Sequence, residues 1–321
     1  MKSACHFVCE VSSVKAPIVL VAFNRPELTR RVFARIREVK PEQLFVVCDG
    51  PRVDHPGDAQ KVEEVRKIIS DGVDWPCEVK TQYAEQNLGC RECLAMGIRW
   101  TFSLVEKAIF LEDDCLPDPT FFSFCEAMLE RYREDERVMH INGSNFTSPA
   151  ASEGTSYYFS KYVWVWGWAS WRRAWVHYDY TMASWDERLP ALSRSFDSRR
   201  EEAFWMSIFK KARQDWKVAQ TWDFSWIYSC WTRGGLTVMP TVNLVENLGF
   251  GPDATHTQDG LSHLRMAAGK IHLARHPIRC RRSRIRDDLM FRAYAGESLS
   301  LRNNFVGLCR VLFRYLADFG R

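Results

Sequence analysis

Three acids stand in a row at Glu112-Asp113-Asp114, directly after the apolar run Ala108-Ile109-Phe110-Leu111. Like charges this close repel, and burial at a strand end penalises each of them, so the triplet calls for a counter-charge. A divalent cation supplies one. Oxygen ligands suit Mg2+ or Mn2+, which take one or two carboxylates and leave the other positions to substrate phosphates. A solvated acidic turn that caps the following helix is the plain alternative. The placement between a buried strand and Cys115-Leu116-Pro117-Asp118-Pro119 favours a metal–diphosphate site.

Other chemistry-bearing residues sit at comparable places. Phe23, Asn24 and Arg25 follow the apolar run that begins at Pro17, and Asp49-Gly50 follows Leu44-Phe45-Val46-Val47-Cys48. An arginine offsets phosphate charge, and a carboxylate can accept the N–H of a base. Asp49 could equally end its strand in a turn, and Arg25 could be a surface charge at a helix start. Asp223 lies inside the aromatic cluster Trp222-Asp223-Phe224-Ser225-Trp226, where desolvation would raise its pKa and suit it to general-base work. Asp186, after Trp185, competes for that role, and a helix cap is the simpler reading of both. Cys90-x-x-Cys93 has ligand-like spacing but no second pair completes a zinc site, so buried small hydrophobes are expected.

The elements that must position these residues alternate. Pro17 to Phe23 reads as a strand buried on both faces, Pro26 opens a helix running to Val39, and Leu44 to Cys48 repeats the strand pattern. A second helix over 59–70, an extended piece over 77–83, a helix over 91–106 and the strand at 108–111 follow, then a helix over 120–133 and a short strand over 138–142. Such alternation predicts an α/β fold with a doubly wound, Rossmann-like sheet, whose ligand crevice lies beyond the strand C-termini. Five tryptophans fall between Trp164 and Trp175, and the chain holds 13 Trp and 20 Phe in 321 residues. A Trp-rich core and stacking against sugar or base rings are both open readings, with Gly167-Trp168 the expected sugar platform.

The run from Ile109 to Phe122, with Glu112-Asp113-Asp114 and Asp118-Pro119-Thr120-Phe121-Phe122, resembles the DxD-type segment of GT-A fold glycosyltransferases. It is similar to enzymes like N-acetylglucosaminyltransferase I. Val19 to Arg31, with Asn24-Arg25-Pro26-Glu27, resembles the opening of family 2-like sugar transferases. The resemblance spans roughly residues 17–260. It implies a metal-dependent transferase moving a sugar from a nucleotide-diphospho-sugar, a UDP-sugar by this likeness, to a hydroxyl of a glycan or lipid-linked glycan, with inversion. It implies Asp114 as metal ligand, Glu112 and Asp113 facing donor sugar and ribose, Asp49 on the base, and Arg25 by the diphosphate. Asn87 and Arg91 match the donor-side loop, Asp223 corresponds to the catalytic base, and His256 of Thr255-His256-Thr257 to a second metal or phosphate ligand.

Composition bounds the rest. Hydrophobic residues make up 46% and charged ones 26%, which excludes a disordered, collagen-like or disulfide-scaffold chain. Eleven scattered cysteines suit a reducing, cytoplasmic compartment, and neither a secretory leader nor a membrane span is expected. Net charge is +4, yet residues 261–321 hold 13 Lys/Arg against 4 Asp/Glu, so the rest is net acidic. The expected organisation is an extension over 1–16, a catalytic domain over 17–260 with donor-side (17–143) and acceptor-side (144–260) halves, and a basic helical region over 261–321. An apolar helix through Phe305, Leu308, Leu312, Leu316 and Phe319 would dock on protein, a second copy included, or lie on an anionic membrane. Nucleic acid is not an expected partner. Two other classes remain in view: a nucleotide-sugar-binding module without turnover, and a sugar-phosphate nucleotidyltransferase. The latter needs a Gly-rich loop after the first strand, which Phe23-Asn24-Arg25-Pro26 lacks.

Overall fold

The computed structural model describes residues 14–147, 154–214, 221–250 and 263–296. The chain starts with β1 (Ile18–Ala22), α1 (Pro26–Val39), β2 (Gln43–Cys48), α2 (Asp58–Gly72), β3 (Glu78–Tyr83), α3 (Cys90–Leu104) and β4 (Lys107–Glu112). Strands β3, β2, β1 and β4 lie side by side in that order, all parallel. The order therefore runs outward from β1 to β3 and then restarts on the other side of β1. That reversal opens a crevice between the C-terminal ends of β1 and β4, where open α/β sheets bind ligands.

Burial explains why the strands form. Ile18, Leu20 and Ala22 pack into one core, Val19 and Val21 into the other, and β2 divides likewise between Leu44, Val46 and Cys48 and Phe45 and Val47. Each buried Val, Leu, Ile or Phe side chain contributes about 1.5–3 kcal/mol, so a strand covered on both faces must be apolar throughout. Strand β3 is the edge and reads differently, with exposed or half-buried Glu78, Lys80 and Gln82 protecting its free side.

After the acid triplet come β5 (Cys115–Pro117), α4 (Thr120–Arg131), β6 (Val138–Asn142), β7 (Tyr157–Ser160), β8 (Trp168–Trp171), α5 (Arg172–Trp175), α6 (Trp185–Ser195), α7 (Arg199–Gln214), α8 (Asp223–Trp231), β9 (Leu236–Pro240), β10 (Val245–Asn247) and α9 (Arg284–Tyr294). Strand β8 inserts antiparallel between β4 and β6, β9 runs parallel to β6, and β7 closes the eight-stranded sheet. The expected doubly wound α/β sheet is thus present, and residues 144–250 complete it. Strands β5 and β10 form a separate antiparallel ribbon beside the crevice, with Asn247 opposite Cys115.

The tryptophans mostly fill the core. Trp168 is 2% exposed, its ring 4.3 Å from Phe110 and 5.1 Å from His140, both nearly parallel to it. Trp226 Nε1 donates to His140 Nδ1 at 3.2 Å, and His140 Nε2 lies 3.0 Å from the Trp164 carbonyl. Burial lowers the His140 pKa to about 4, so the ring is neutral. The sugar platform expected at Gly167-Trp168 is corrected here. Trp164, Trp168, Trp171 and Trp175 are all buried, Trp168 and Trp171 because β8 is an interior strand with its two faces covered.

Residues 263–296 pack on this body. Leu264, Ile271, Met290 and Phe291 are buried, and the Tyr294 ring stacks on Trp205 at 5.3 Å. Arg282, within the basic stretch, pairs with Asp197 and with buried Asp287, which also accepts from Ser160 Oγ. The helix expected at 305–319 lies outside the described residues. Among those residues no helix is long and apolar enough to cross a membrane.

Candidate active site

The crevice is a cavity of about 260 Å³ whose floor is the ends of β1 and β4. Phe23, Arg25, Asp49, Asn87, Glu112, Asp113 and Asp114 all line it. Seven positions nominated from four separate sequence segments therefore share one wall. The switch point explains this, since β1, β2 and β4 all end at the same edge.

Arg25 supplies the counter-charge that the triplet demands. Its Nη1 donates to Asp114 Oδ2 at 2.8 Å, and its Nη2 pairs with Asp113 Oδ1. Phe23 N–H donates to the other Asp113 oxygen at 3.1 Å. Burial alone would lower the Arg25 pKa, but Asp113, Asp114 and Glu112 together hold it above its usual value. Asp113, 1% exposed, has both oxygens engaged inside the protein. One guanidinium cannot neutralise three carboxylates. Burial first, then the charge of Asp114, with smaller contributions from Asp113 and Asp223, pushes Glu112 well above the carboxylate range. Glu112 lines the cavity wall beside Asp113 and Asp114.

Asp49 is a latch. Its two oxygens accept from Gly50 N–H at 2.8 Å, Leu88 N–H at 2.9 Å, Gly89 N–H at 3.0 Å and Asn87 Nδ2 at 3.0 Å. Gly50 permits this close meeting, because a Cβ there would lie 2.4 Å from the Gln86 carbonyl carbon. Burial raises the Asp49 pKa, and the N–H groups of Leu88, Gly50 and Gly89 oppose it. By fastening residues 87–89, Asp49 aims the N-terminus of α3 at the cavity, where free N–H groups and the helix dipole favour an anion. Asn87 Nδ2 also donates to the Gly50 carbonyl at 3.0 Å.

Other nominated residues stand around this core. Asn24 turns away, its Nδ2 donating to Asp58 Oδ1 at 2.7 Å. Arg91, 6% exposed, donates from Nη2 to the Tyr180 carbonyl at 2.6 Å and lies over the Tyr180 ring. Asp223 opens α8, its Oδ1 accepting from Phe224 N–H at 2.9 Å and from Thr221 Oγ1. Its charge bears on Glu112 and on Cys90, so it stands within electrostatic reach of the triplet. Asp186 is exposed in the first turn of α6. His256 lies outside the described residues.

The cavity has members that sequence reading did not nominate. Arg52 reaches it while its guanidinium pairs with Asp58 at 2.6 Å, and it follows Asp49-Gly50 closely enough that the strand-end signal covers it. Trp166 is the tryptophan of the aromatic segment that reaches the cavity. Asn247 arrives through the β5–β10 ribbon. Cys90 and Cys93, one helical turn apart, line the wall as free thiols, and burial raises both pKa values. They serve as small apolar groups.

The donor set can be tested against a divalent cation. No group of three or more His, Cys, Asp or Glu among the described residues is placed to hold a metal. A hard cation arriving with a diphosphate needs fewer protein ligands. Asp114, at the cavity wall with one oxygen on Arg25, fits that requirement.

No protein-family model matches the chain, and no curated protein sequence does. Solved structures overlap part of it, two of them as follows. The mannosyltransferase PcManGT from Pyrobaculum calidifontis, in complex with GDP-Man and Mn2+, shares 15% identity over 50% of this chain and 45% of its own, with a TM-score of 0.34. The chain thus spans less than half of that protein's length. A UDP-glucose pyrophosphorylase complexed with UDP-glucose shares 12% identity over 46% of this chain and 62% of its own, with a TM-score of 0.27.

Proposed function

We propose that the protein is a glycosyltransferase that uses a nucleotide-diphospho-sugar, a UDP-sugar by its sequence likeness, and a glycan or lipid-linked glycan acceptor. The observation that carries this reading is the meeting, in one switch-point cavity, of an Arg25-bridged acid pair and the N-terminus of α3. Paired acids and convergent N–H donors suit a diphosphate that brings its own cation.

Each residue then has a task. Asp114 would hold a divalent ion, with His256 its second ligand, and the ion would supply Lewis-acid stabilisation of the departing diphosphate. Arg25 and the α3 N-terminus add positive potential on the same side. Glu112, beside Asp113 on the cavity wall, would face the donor sugar. Asp223, held at the start of α8, takes the proton of the attacking acceptor hydroxyl. Transfer at the anomeric carbon then proceeds with inversion.

A screen of nucleotide sugars with Mn2+, read by nucleoside diphosphate release, tests the reading. Release from one donor, accelerated by a glycan acceptor, is the expected result. Binding of a nucleotide sugar without any release would leave a binding module, and no binding at all would overturn the nucleotide-sugar reading.

A further inference from the structure

Asn247 ends β10 opposite Cys115, the residue after Asp114. It is 4% exposed and lines the cavity. Its Oδ1 accepts the Gly249 N–H at 2.7 Å, closing a tight turn. That bond fixes which end of the amide is which, since only the oxygen can accept an N–H. The Nδ2 group has no hydrogen-bond partner among the described residues and belongs to a side chain that lines the cavity. Buried amide nitrogens are paired in nearly all proteins, so an open one beside a cavity marks a place for a ligand oxygen.

The surroundings say which oxygen. The Leu248 N–H donates to the Asp114 carbonyl at 2.7 Å, and a Cβ on Gly249 would lie 2.3 Å from Asp114 Oδ2 and 3.0 Å from Asn247 Oδ1. The 247–249 turn is therefore folded onto Asp114. A carboxylate wall repels phosphate unless neutral or positive donors interrupt it. Asn247 provides two N–H groups there without a titrating charge.

We propose that Asn247 Nδ2 donates to the diphosphate of the nucleotide, at the phosphate nearest Asp114. This rests on the glycosyltransferase reading above and adds to it a residue that holds the leaving group.

The test uses the full chain with Mn2+ and four probes: UDP, GDP, UMP and GMP. Parent protein is titrated first by calorimetry. If it binds neither diphosphate, the proposed function fails before Asn247 is in question. Two variants follow. Asn247→Asp keeps the oxygen that accepts from Gly249 and removes the N–H donors, whereas Asn247→Ala removes both without adding charge. Loss of a hydrogen bond to a charged phosphate predicts about 10- to 100-fold weaker diphosphate binding in both variants. Monophosphate affinity should stay within about two-fold of parent, because the nucleoside contacts are elsewhere. Loss in Asn247→Ala with parent-like Asn247→Asp would reduce the residue to its turn. Loss in Asn247→Asp with parent-like Asn247→Ala would show only repulsion by the new carboxylate. An equal loss for mono- and diphosphate would also overturn the proposal.

Discussion

Gly249 stands against Asp114 so closely that a methyl group on it would lie 2.3 Å from the carboxylate oxygen. That oxygen already accepts from Arg25 at 2.8 Å, so the carboxylate cannot swing aside without breaking the pair. Gly249→Ala should therefore displace Asp114 while leaving the sheet intact. Affinity for a nucleoside diphosphate in Mn2+ should fall at least about tenfold, and the melting temperature should drop by only a few degrees, roughly 1 kcal/mol of stability. Calorimetry and thermal unfolding together check this, and unchanged affinity would mean that Asp114 has room to move.

Asp114→Asn keeps the side-chain shape and removes its charge. Arg25 retains Asp113, whose oxygens are held from two sides, so the fold should persist. Metal-dependent binding of nucleoside diphosphate should be lost. Equal affinity of parent and variant in Mn2+ would remove Asp114 from the metal site.

Asp223→Asn preserves the start of α8, because an amide oxygen can still accept from the Phe224 N–H. Proton acceptance is gone, so kcat should fall by about 10² to 10⁴ with donor affinity nearly unchanged. Turnover within a few-fold of parent would place the base elsewhere.

Asp49→Ala deletes the acceptor for three backbone N–H groups and for Asn87 at once. Buried donors left unpaired make this expensive, about 2–4 kcal/mol in denaturant unfolding. Nucleotide affinity should fall as well, since residues 87–89 aim the α3 N-terminus. If stability is untouched and only affinity changes, Asp49 acts on the ligand rather than on the loop.

Asp58 gives a pH signature. The Arg52 hydrogen bond, with help from Asn24, lowers its pKa to about 2. A carboxylate depressed in the folded state adds stability above its unfolded pKa, about 3.9, and loses it as pH falls towards the folded value. Arg52 is 41% exposed, so solvent screening cuts the contribution to about 1 kcal/mol. Parent should exceed Asp58→Asn in stability by that amount near neutral pH, and the gap should close between about pH 4 and pH 2. A gap that persists at the acid end would show that the contribution is not electrostatic.

Strands β1, β2, β4 and β6 and helix α1 were legible in the sequence because each is written locally. A strand covered on both faces needs a continuous apolar run, and a helix packed on one face needs apolar residues one turn apart. The acid triplet was legible for the same reason, as charge stands out directly after Ala108 to Leu111. Pairing and polar saturation are not local. Strand β8 is four residues long and lies between β4 and β6 only through contacts with residues distant in the chain, so its tryptophans read equally as core or as platform. The four donors on Asp49 come partly from residues nearly forty positions away, and Asn247 reaches Asp114 through a ribbon joining β5 to β10. Residue types and strand ends together nominated a site rich in acids beside Arg25. Only tertiary structure decided that Arg25 bridges two of those acids, that Asp49 holds a loop, and that an asparagine more than a hundred residues downstream completes the wall. Free energy in such places depends on which groups leave water together, and that is settled by the folded chain rather than by any one segment.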